Sequence, residues 1–225
     1  MIDFEPIFLT LQLAFTTTVI LLIVGLPLAY WLTYSKIKSK VIIEAIVSLP
    51  LVLPPSVLGF YLLIAFSPEN AFGKFLDNYF DIRLVFTFTG LVISSVLYSL
   101  PFMVQPAQSG FKSISKNLID ASYTLGKSRW QTILHVILPN MKTALLTGTV
   151  LSFAHTIGEF GVVLMVGGSI PNETKVVSIA VFDEVTAMNY HTANVYSAIL
   201  LVFSFVVLLS VYSINRRFSK ISPLP

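Results

Sequence analysis

The class of fold is decided by residues 9–32, LTLQLAFTTTVILLIVGLPLAYWL, which contain no charged side chain. The uncharged stretch extends to Pro6 on one side and to Ser35 on the other. An α-helix rises about 1.5 Å per residue and the hydrocarbon core of a bilayer is about 30 Å thick, so roughly 20 apolar residues are enough to cross it. The sequence therefore predicts a membrane-spanning helix in this stretch.

Four further stretches meet the same test, and one shorter run does not. Together with the first, the predicted spans are residues 9–32, 45–66, 84–104, 144–166 and 193–214. The run 176–182 is too short to cross a bilayer and is followed at once by Asp183 and Glu184, so we expect an interfacial or re-entrant piece. The pattern predicts an all-α integral membrane protein with about five transmembrane helices.

The composition supports that class and excludes several others. Of the 225 residues, 55% are hydrophobic and 11% are charged, with a mean hydropathy of +0.83, which is not the composition of a soluble domain. A formal net charge of +3 is too small a basic excess for a nucleic-acid-binding protein. Because the chain has no cysteine, disulfides, thiolate metal sites and cysteine nucleophiles are excluded. We expect one domain over residues 1–225.

Lys and Arg residues predict the orientation of the spans, because they remain on the cytoplasmic side of a membrane. Most of the 14 lie in the loop after the first span, in the loop after the third span and in the C-terminal tail. Lys74, Arg83 and Lys175 lie in the other connections, which alternate with the first set. We therefore expect a multi-pass protein of the cell membrane with its N-terminus outside and its C-terminus in the cytoplasm. The acidic Asp3 and Glu5 argue against a cleavable signal peptide.

The second predicted span is interrupted by prolines. Residues 48–63 read SLPLVLPPSVLGFYLL, with prolines at positions 50, 54 and 55. Each proline removes a backbone N–H and frees a carbonyl, and such groups need a partner in protein or in a watery cavity when they lie inside a membrane. Single prolines are common in membrane helices. Three of them so close together predict a bend beside a pathway.

The longest polar stretch, residues 111–142, has its own helical pattern. Apolar residues recur at helical spacing both before and after Gly126. This pattern predicts two short amphipathic helices with a glycine hinge between them. Their apolar faces need a partner, which could be the membrane surface, the inner end of the bundle or another protein. Periodicity alone does not choose among these three.

Two patterns with a chemical meaning have a simpler explanation. Residues 121–128, ASYTLGKS, match a loose phosphate-loop pattern, but such a loop needs a strand before it and a second strand with a magnesium-binding Asp, and the sequence predicts neither. His155 and Glu159 are four residues apart and share a helix face at membrane depth, yet a metal site would need a third ligand. A structural role and a pathway role for Glu159 are both open. No nucleophile and base pair accompanies them, so we expect no enzyme activity of the chain itself.

The polar stretch also resembles a known motif. It reads Asp120-Ala121-Ser122, three residues, Gly126, nine residues, Val136, one residue and Leu138-Pro139. This arrangement resembles the EAA loop of ABC importer permeases, EAA-x3-G-x9-I-x-LP, with Asp for Glu, Ser for Ala and Val for Ile. The resemblance implies a permease domain of the MetI-like fold, whose residues 111–142 form a cytoplasmic coupling loop that docks into a separate ATPase subunit. ATP and magnesium would then be bound by that ATPase, and no cofactor by this chain.

Two further stretches narrow the resemblance. Residues 49–63 and residues 157–171, IGEFGVVLMVGGSIP, resemble molybdate importer permeases of the ModB type, while GEFG at 158–161 is shared with sulfate permeases. The family implies a homodimer, a pair of ATPase subunits and an extracytoplasmic oxyanion-binding protein as partners, besides membrane lipid and with no nucleic acid. Sulfate and tungstate stay open as substrates. A secondary transporter driven by an ion gradient, with Glu159 and His155 as proton carriers, is the rival hypothesis.

For an oxyanion importer, the lining of the path can be predicted in outline. A doubly charged anion would be repelled by carboxylates, so the path is expected to offer hydroxyls, backbone N–H groups and glycines. The candidates are Ser56, Gly59, Thr149, Ser152, Thr156 and Gly158. We expect Glu159 to lie near the outer gate and to bond to a neighbouring helix rather than to the anion.

Overall fold

A computed structural model describes residues 3–221, with side chains for residues 3–210, 212 and 213, and every regular element in this range is helical. The helices are α1 (Glu5–Tyr34), α2 (Lys40–Ser48), α3 (Pro55–Phe66), α4 (Ala71–Phe80), α5 (Phe88–Ser113), α6 (Lys116–Thr124), α7 (Arg129–Thr132), α8 (Leu138–Asn140), α9 (Lys142–Ile157), α10 (Gly161–Gly167), α11 (Val177–Thr186) and α12 (Tyr190–Ile221). A 3₁₀ turn, Leu49–Leu51, follows α2, and a π-helical turn, Ile133–Ile137, joins α7 to α8. The predicted all-α class is confirmed.

Hydropathy and length identify three helices in the described part that can cross a membrane alone, and two bent pairs. The three are Glu5–Tyr34, Phe88–Ser113 and Tyr190–Ser210. The pairs are Lys40–Leu51 with Pro55–Phe66, bent by 113°, and Arg129–Asn140 with Lys142–Ile157, bent by 75°. Five spans result when each bent pair is counted as one, which agrees with the number predicted from the sequence.

The bend in the second span lies where the prolines predicted it. Pro54 and Pro55 have no backbone N–H to donate, so the helical hydrogen bonds end before them. A new helix, α3, begins with Pro55 in its first turn. The fourth predicted span, residues 144–166, is wrong as a continuous helix, because α9 ends at Ile157 and α10 begins at Gly161. Glycines flank this interruption at both ends, and glycine is a poor residue for a helix interior.

The core of the bundle is formed by α1, α5 and α9. Tyr34 near the end of α1 donates a hydrogen bond to the Phe111 carbonyl near the end of α5, so these two helices end together. We call this end, which carries α6, α7 and α8, the coupling end, and the other end the far end. Buried residues at the coupling end are Ala29, Leu32, Val47, Val104, Ala107, Phe111, Ile137 and Met141.

The short apolar run 176–182 forms the beginning of α11 and not a sixth crossing. With about 1.5 Å per residue, α11 is roughly 15 Å long. It packs against α12 and α1, and the backbone N–H of Val177 donates to the Thr10 hydroxyl at 2.9 Å.

At the far end, the loop of residues 168–176 is tied to three helices. The Glu173 carboxylate accepts a hydrogen bond from the Phe88 N–H at the start of α5, at 3.0 Å. The buried Thr174 hydroxyl donates to the Gly167 carbonyl at the end of α10, and Lys175 forms an ion pair with Asp183 of α11 at 3.0 Å. This loop therefore holds one end of α5, α10 and α11 together.

Candidate functional site

Two broken spans meet at an open cavity of about 530 Å³. Its lining comes from the start of α3, the end of α9, the interruption before α10, and α5. The lining residues are Pro55, Ser56, Tyr98, Ala154, His155, Gly158, Glu159, Phe160 and Gly161. Backbone N–H groups in the first turn of a helix have no partner within that helix. At the start of α3, however, Pro54 and Pro55 have no N–H, and the N–H groups of Val57 and Leu58 donate to the Pro54 carbonyl, which leaves the Ser56 N–H as the donor that this turn offers.

Close packing of α3 against α10 brings the two interruptions together. A Cβ atom on Gly161 would lie 2.7 Å from the Pro55 Cβ, and one on Gly59 would lie 2.9 Å from the Met165 Cβ and 3.0 Å from the Val162 Cα. Side chains at Gly59 and Gly161 would therefore hold the helices apart. The small residues explain how two short helix pieces start beside one another.

Glu159 lies in the interruption and is only 4% exposed. Neither of its carboxyl oxygens has a hydrogen-bond partner among the described residues, although the Ser95 hydroxyl of α5 is a neighbour. The bond from its side chain to an adjacent helix, expected from the sequence, is therefore not present. A bond to the main chain takes its place, because the Ser178 hydroxyl of α11 donates to the Glu159 carbonyl at 2.7 Å. The shared helix face predicted for His155 and Glu159 is wrong, because α9 stops at Ile157. The position of Glu159 near an outer gate stays a prediction.

His155 is held rigidly at the cavity wall. Its Nδ1 atom lies 2.9 Å from the Ser99 hydroxyl, which also lies 3.1 Å from the Thr156 hydroxyl. The imidazole stacks on Phe102 with ring centroids 3.9 Å apart. Within the described residues no group of three or more His, Asp or Glu side chains is arranged to hold a metal ion. The contacts of the His155 ring with Ser99 and Phe102 fix its position in the cavity lining.

The structure brings together only part of the path residues predicted from the sequence. Ser56, Gly158 and Glu159 line the cavity, whereas Gly59 is buried in the contact of α3 with α10. The other candidates lie along α9 away from the lining. Thr149 bonds to the Leu145 carbonyl, Thr156 bonds to the Ser152 carbonyl, and the Ser152 hydroxyl is buried without a partner in the described part. A transport role for each of these residues stays a prediction.

Six residues that line the cavity were not among the path candidates from the sequence. They are Pro55, Tyr98, Ala154, His155, Phe160 and Gly161. Phe160 and Gly161 belong to the GEFG stretch, whose glycines could have indicated an interruption. Tyr98 belongs to α5. The sequence around it does not indicate a functional site, because only the tertiary fold brings it beside Glu159.

We expect Glu159→Gln to keep substrate uptake within about twofold of the parent and not to lower thermal stability. The amide has nearly the volume of the carboxyl, is easier to bury than a carboxylate, and gives up no existing hydrogen bond. Uptake in cells and the melting temperature of the purified complex measure the two effects. Loss of uptake with normal assembly and ATPase activity would instead assign this side chain to the transport step itself.

The second candidate site is the coupling loop. It forms the two helices predicted for it, α6 and α7, and Gly126 between them has φ +75°. Ser122 of α6 and Thr132 of α7 bring their hydroxyls within 2.9 Å, which fixes one helix against the other. Ser128 and Gln131 form a reciprocal capping box at the start of α7. Residues 121–128 thus form a helix end and a turn, not the strand and loop of a phosphate site.

Part of this loop faces outward and part is anchored in the bundle. Asp120, Ala121 and Gly126 are exposed, and the apolar side chains of Leu125 and Trp130 are 80% and 72% exposed. Val136 and Leu138 are half-buried beside the buried Ile137, and Pro139 is exposed in the short α8. Large apolar side chains exposed on a polar loop are typical of a surface that binds another protein.

A bundle with interrupted spans, an open cavity at the interruptions and an outward-facing helical loop has the architecture of an importer permease domain. A family profile, "Binding-protein-dependent transport system inner membrane component", matches residues 7–220, and the chain belongs to this family. The protein is therefore a membrane component of a transport system rather than an enzyme.

Individual relatives agree with that assignment. The chain is 47% identical over 217 residues to the "Molybdenum transport system permease protein ModB" of Azotobacter vinelandii, with 96% of this chain and 95% of the relative covered. It is 33% identical to the "Putative molybdenum transport system permease protein YvgM" of Bacillus subtilis, with 91% and 90% covered. The "Sulfate transport system permease protein CysT" of Escherichia coli is 31% identical, with 94% and 76% covered.

Solved structures share the fold at low sequence identity. An inward-facing structure of the MetNI methionine ABC transporter superimposes with a TM-score of 0.71 at 16% identity, covering 93% of each chain. A bacterial alginate ABC transporter in complex with a periplasmic protein superimposes with a TM-score of 0.71 at 19% identity, covering 95% of this chain and 79% of that one. The MetI-like permease fold expected from the sequence is confirmed.

Proposed function

We propose that this chain is the membrane-spanning subunit of an ATP-driven molybdate importer. The 47% identity to a molybdenum permease over 96% of the chain is the observation that carries the proposal. Two copies would enclose the path, because one chain with up to five spans leaves its cavity open at the surface. An extracytoplasmic protein would deliver the oxyanion at the far end, with the N-terminus on that side.

The coupling loop would connect transport to ATP hydrolysis. Exposed Leu125 and Trp130 supply an apolar contact for an ATPase subunit, which would bind ATP and magnesium. Because α7, the π-helical turn and α8 lead directly into α9, a displacement of the loop would be transmitted to α9, whose other end lines the cavity. Binding of ATP would thereby switch the path between its inward-facing and outward-facing states, and hydrolysis would reset it.

The cavity suits passage of an oxyanion better than tight binding. Ser56 offers a hydroxyl and a backbone N–H at the start of α3, and no Lys or Arg is among the lining residues. A permease must release its substrate, so a few neutral donors are preferable to a strong cationic site. The buried Glu159 would be kept neutral next to the anion, since an ionised carboxylate without a partner is costly to bury.

Deletion of the gene should abolish uptake of labelled molybdate at nanomolar concentration, and a plasmid copy should restore it. Excess tungstate is expected to compete and excess sulfate to fail. Uptake should also stop when cellular ATP is depleted while the proton gradient is maintained. Unchanged molybdate uptake after deletion would move the proposal to sulfate or another oxyanion. Uptake that follows the ion gradient and not ATP would support the rival secondary transporter.

A further inference from the structure

Helix α4 has an aromatic face that the described part of the chain leaves half exposed or more. Phe72, Phe75 and Tyr79 recur at positions i, i+3 and i+7 and are 52%, 50% and 75% exposed. The rings of Phe75 and Tyr79 lie with centroids 5.0 Å apart. We call these three residues the aromatic face.

The rotation of α4 about its own axis is fixed by contacts on another side. Gly73 is buried against the carbonyl oxygens of Phe66 and Ser67, and a Cβ atom at this position would overlap both. Leu76 packs in the cluster that contains Phe66 and Leu84. At the next position, the Asp77 carboxylate accepts a hydrogen bond from Arg83 Nε at 3.0 Å. The helix therefore cannot roll to bury its rings without losing these contacts.

A third side of α4 is polar and exposed. With about 100° between successive residues, Gly73, Leu76 and Asp77 face the bundle, the aromatic face lies to one side, and Lys74 and Asn78 lie on the other. Both Lys74 and Asn78 are exposed. The helix thus presents rings in one direction and polar groups in another.

The position of α4 in the bundle indicates what it contacts. Four residues separate it from the end of α3, and the Asn70 side chain donates to the Ile64 carbonyl at 2.8 Å, which fixes the connection between the two helices. The outward side of α3 is itself apolar, with Phe60 50% and Tyr61 63% exposed, as expected of a span that faces lipid. The aromatic face of α4 therefore lies beside the end of a span whose outward side is exposed to the membrane.

We propose that α4 is an interfacial helix whose aromatic face inserts into the bilayer at the boundary between acyl chains and headgroups. Aromatic side chains concentrate at this boundary, and a helix with an apolar side and a polar side lies in its plane. The partner is thus the lipid surface at the far end, with Lys74 and Asn78 directed toward water and headgroups. The proposal depends on the membrane fold and not on which ion is transported.

This assignment also sets the depth of the cavity. Helix α3 has 12 residues, so at about 1.5 Å per residue it is roughly 18 Å long and cannot cross the hydrocarbon core alone. If α4 holds the Phe66 end of α3 at the interface, the Pro55 end lies inside the membrane. The cavity lined by Pro55 is then within the bilayer and away from both aqueous surfaces.

Spin labelling tests the proposal directly, because the chain has no native cysteine. Single variants Phe72→Cys, Phe75→Cys and Tyr79→Cys would carry a nitroxide, with Lys74→Cys and Asn78→Cys as matched controls on the same helix. The full chain, assembled with its ATPase in lipid nanodiscs, is probed by collision with oxygen and with a water-soluble nickel chelate. On the aromatic face, we expect the collision rate with oxygen to exceed that with the nickel chelate by about threefold or more. At the two controls, the nickel chelate should give the higher collision rate.

Each other outcome overturns the proposal. High collision with the nickel chelate at all five positions would place the aromatic face in water. Low collision with both reagents on the aromatic face would show that protein covers it, either a second copy or a binding protein. Tyr79→Trp, at the most exposed ring, gives a second measurement if a cysteine variant fails to assemble. The fluorescence that this variant adds to that of the two native tryptophans should be quenched by lipids brominated near the headgroup more strongly than by lipids brominated at the chain end.

Discussion

Replacing Gly126 by proline should reduce substrate uptake at least tenfold while the bundle remains folded. Gly126 has φ +75°, whereas the proline ring holds φ near −65°, so the turn between α6 and α7 cannot form as it is. The Gly126 N–H also donates to the Tyr123 carbonyl at 2.9 Å, and proline has no N–H. Because the ATPase would dock on the surface that includes the adjacent Leu125, the subunit should no longer co-purify.

The matched control for this prediction is Gly126→Asn. Asparagine tolerates positive φ better than other side chains, and no atom lies within 4 Å of a Cβ atom at this position, so the turn should survive. We expect near-normal uptake and ATPase binding for Asn, and loss of both for Pro. Normal co-purification and uptake of the proline variant would show that the geometry of this turn is not needed for coupling.

A leucine at Gly59 should destabilise the protein by about 1–3 kcal/mol or more, as overpacking of a tight contact does. The Cβ atom alone would lie 3.0 Å from the Val162 Cα, and a backbone atom cannot turn aside as a flexible side chain can. The helices α3 and α10 would have to separate. The measurement is the melting temperature of the purified complex, together with the amount of protein that reaches the membrane.

Ser56→Ala is the matched control, because Ser56 lies on the same helix but lines the cavity. We expect it to leave stability unchanged within about 0.5 kcal/mol and to lower uptake. The pair separates two roles that the sequence could not distinguish for these neighbouring small residues. If the Gly59→Leu variant is stable but does not transport, Gly59 belongs to the translocation path and not only to the helix contact.

Composition and charge predicted the membrane class and the number of spans, because lipid imposes a length and an apolar character that a sequence displays directly. The bend at Pro54 and Pro55 was predictable for a similar reason, since proline acts on its own backbone. The interruption before Gly161 was not predicted. Residues 144–166 are apolar throughout most of their length, and hydropathy reports burial in lipid rather than continuity of a helix.

The two candidate sites differ in how far the sequence could describe them. The coupling loop is local, so its two helices and its glycine turn follow from spacing within about thirty residues. The cavity joins residues that are distant in the chain, such as Ser56, Tyr98 and Glu159, and only the fold brings them together. The surroundings of Glu159, which come from α5 and α11, could therefore not be derived from the sequence. Helix α4 was not predicted, because it lies in a connection between spans and outside the long apolar stretches.

The loop that ties Glu173 to α5, Thr174 to α10 and Lys175 to α11 has a consequence for the speed of transport. We expect a gate formed by this loop to open together with the helices that it contacts, because movement of the loop alone would break all three contacts. Opening is then a collective motion, of the kind that takes microseconds to milliseconds rather than nanoseconds. For the proposed transporter, we therefore expect the path to open rarely by thermal fluctuation alone, which would limit the leak of ions between cycles of ATP hydrolysis.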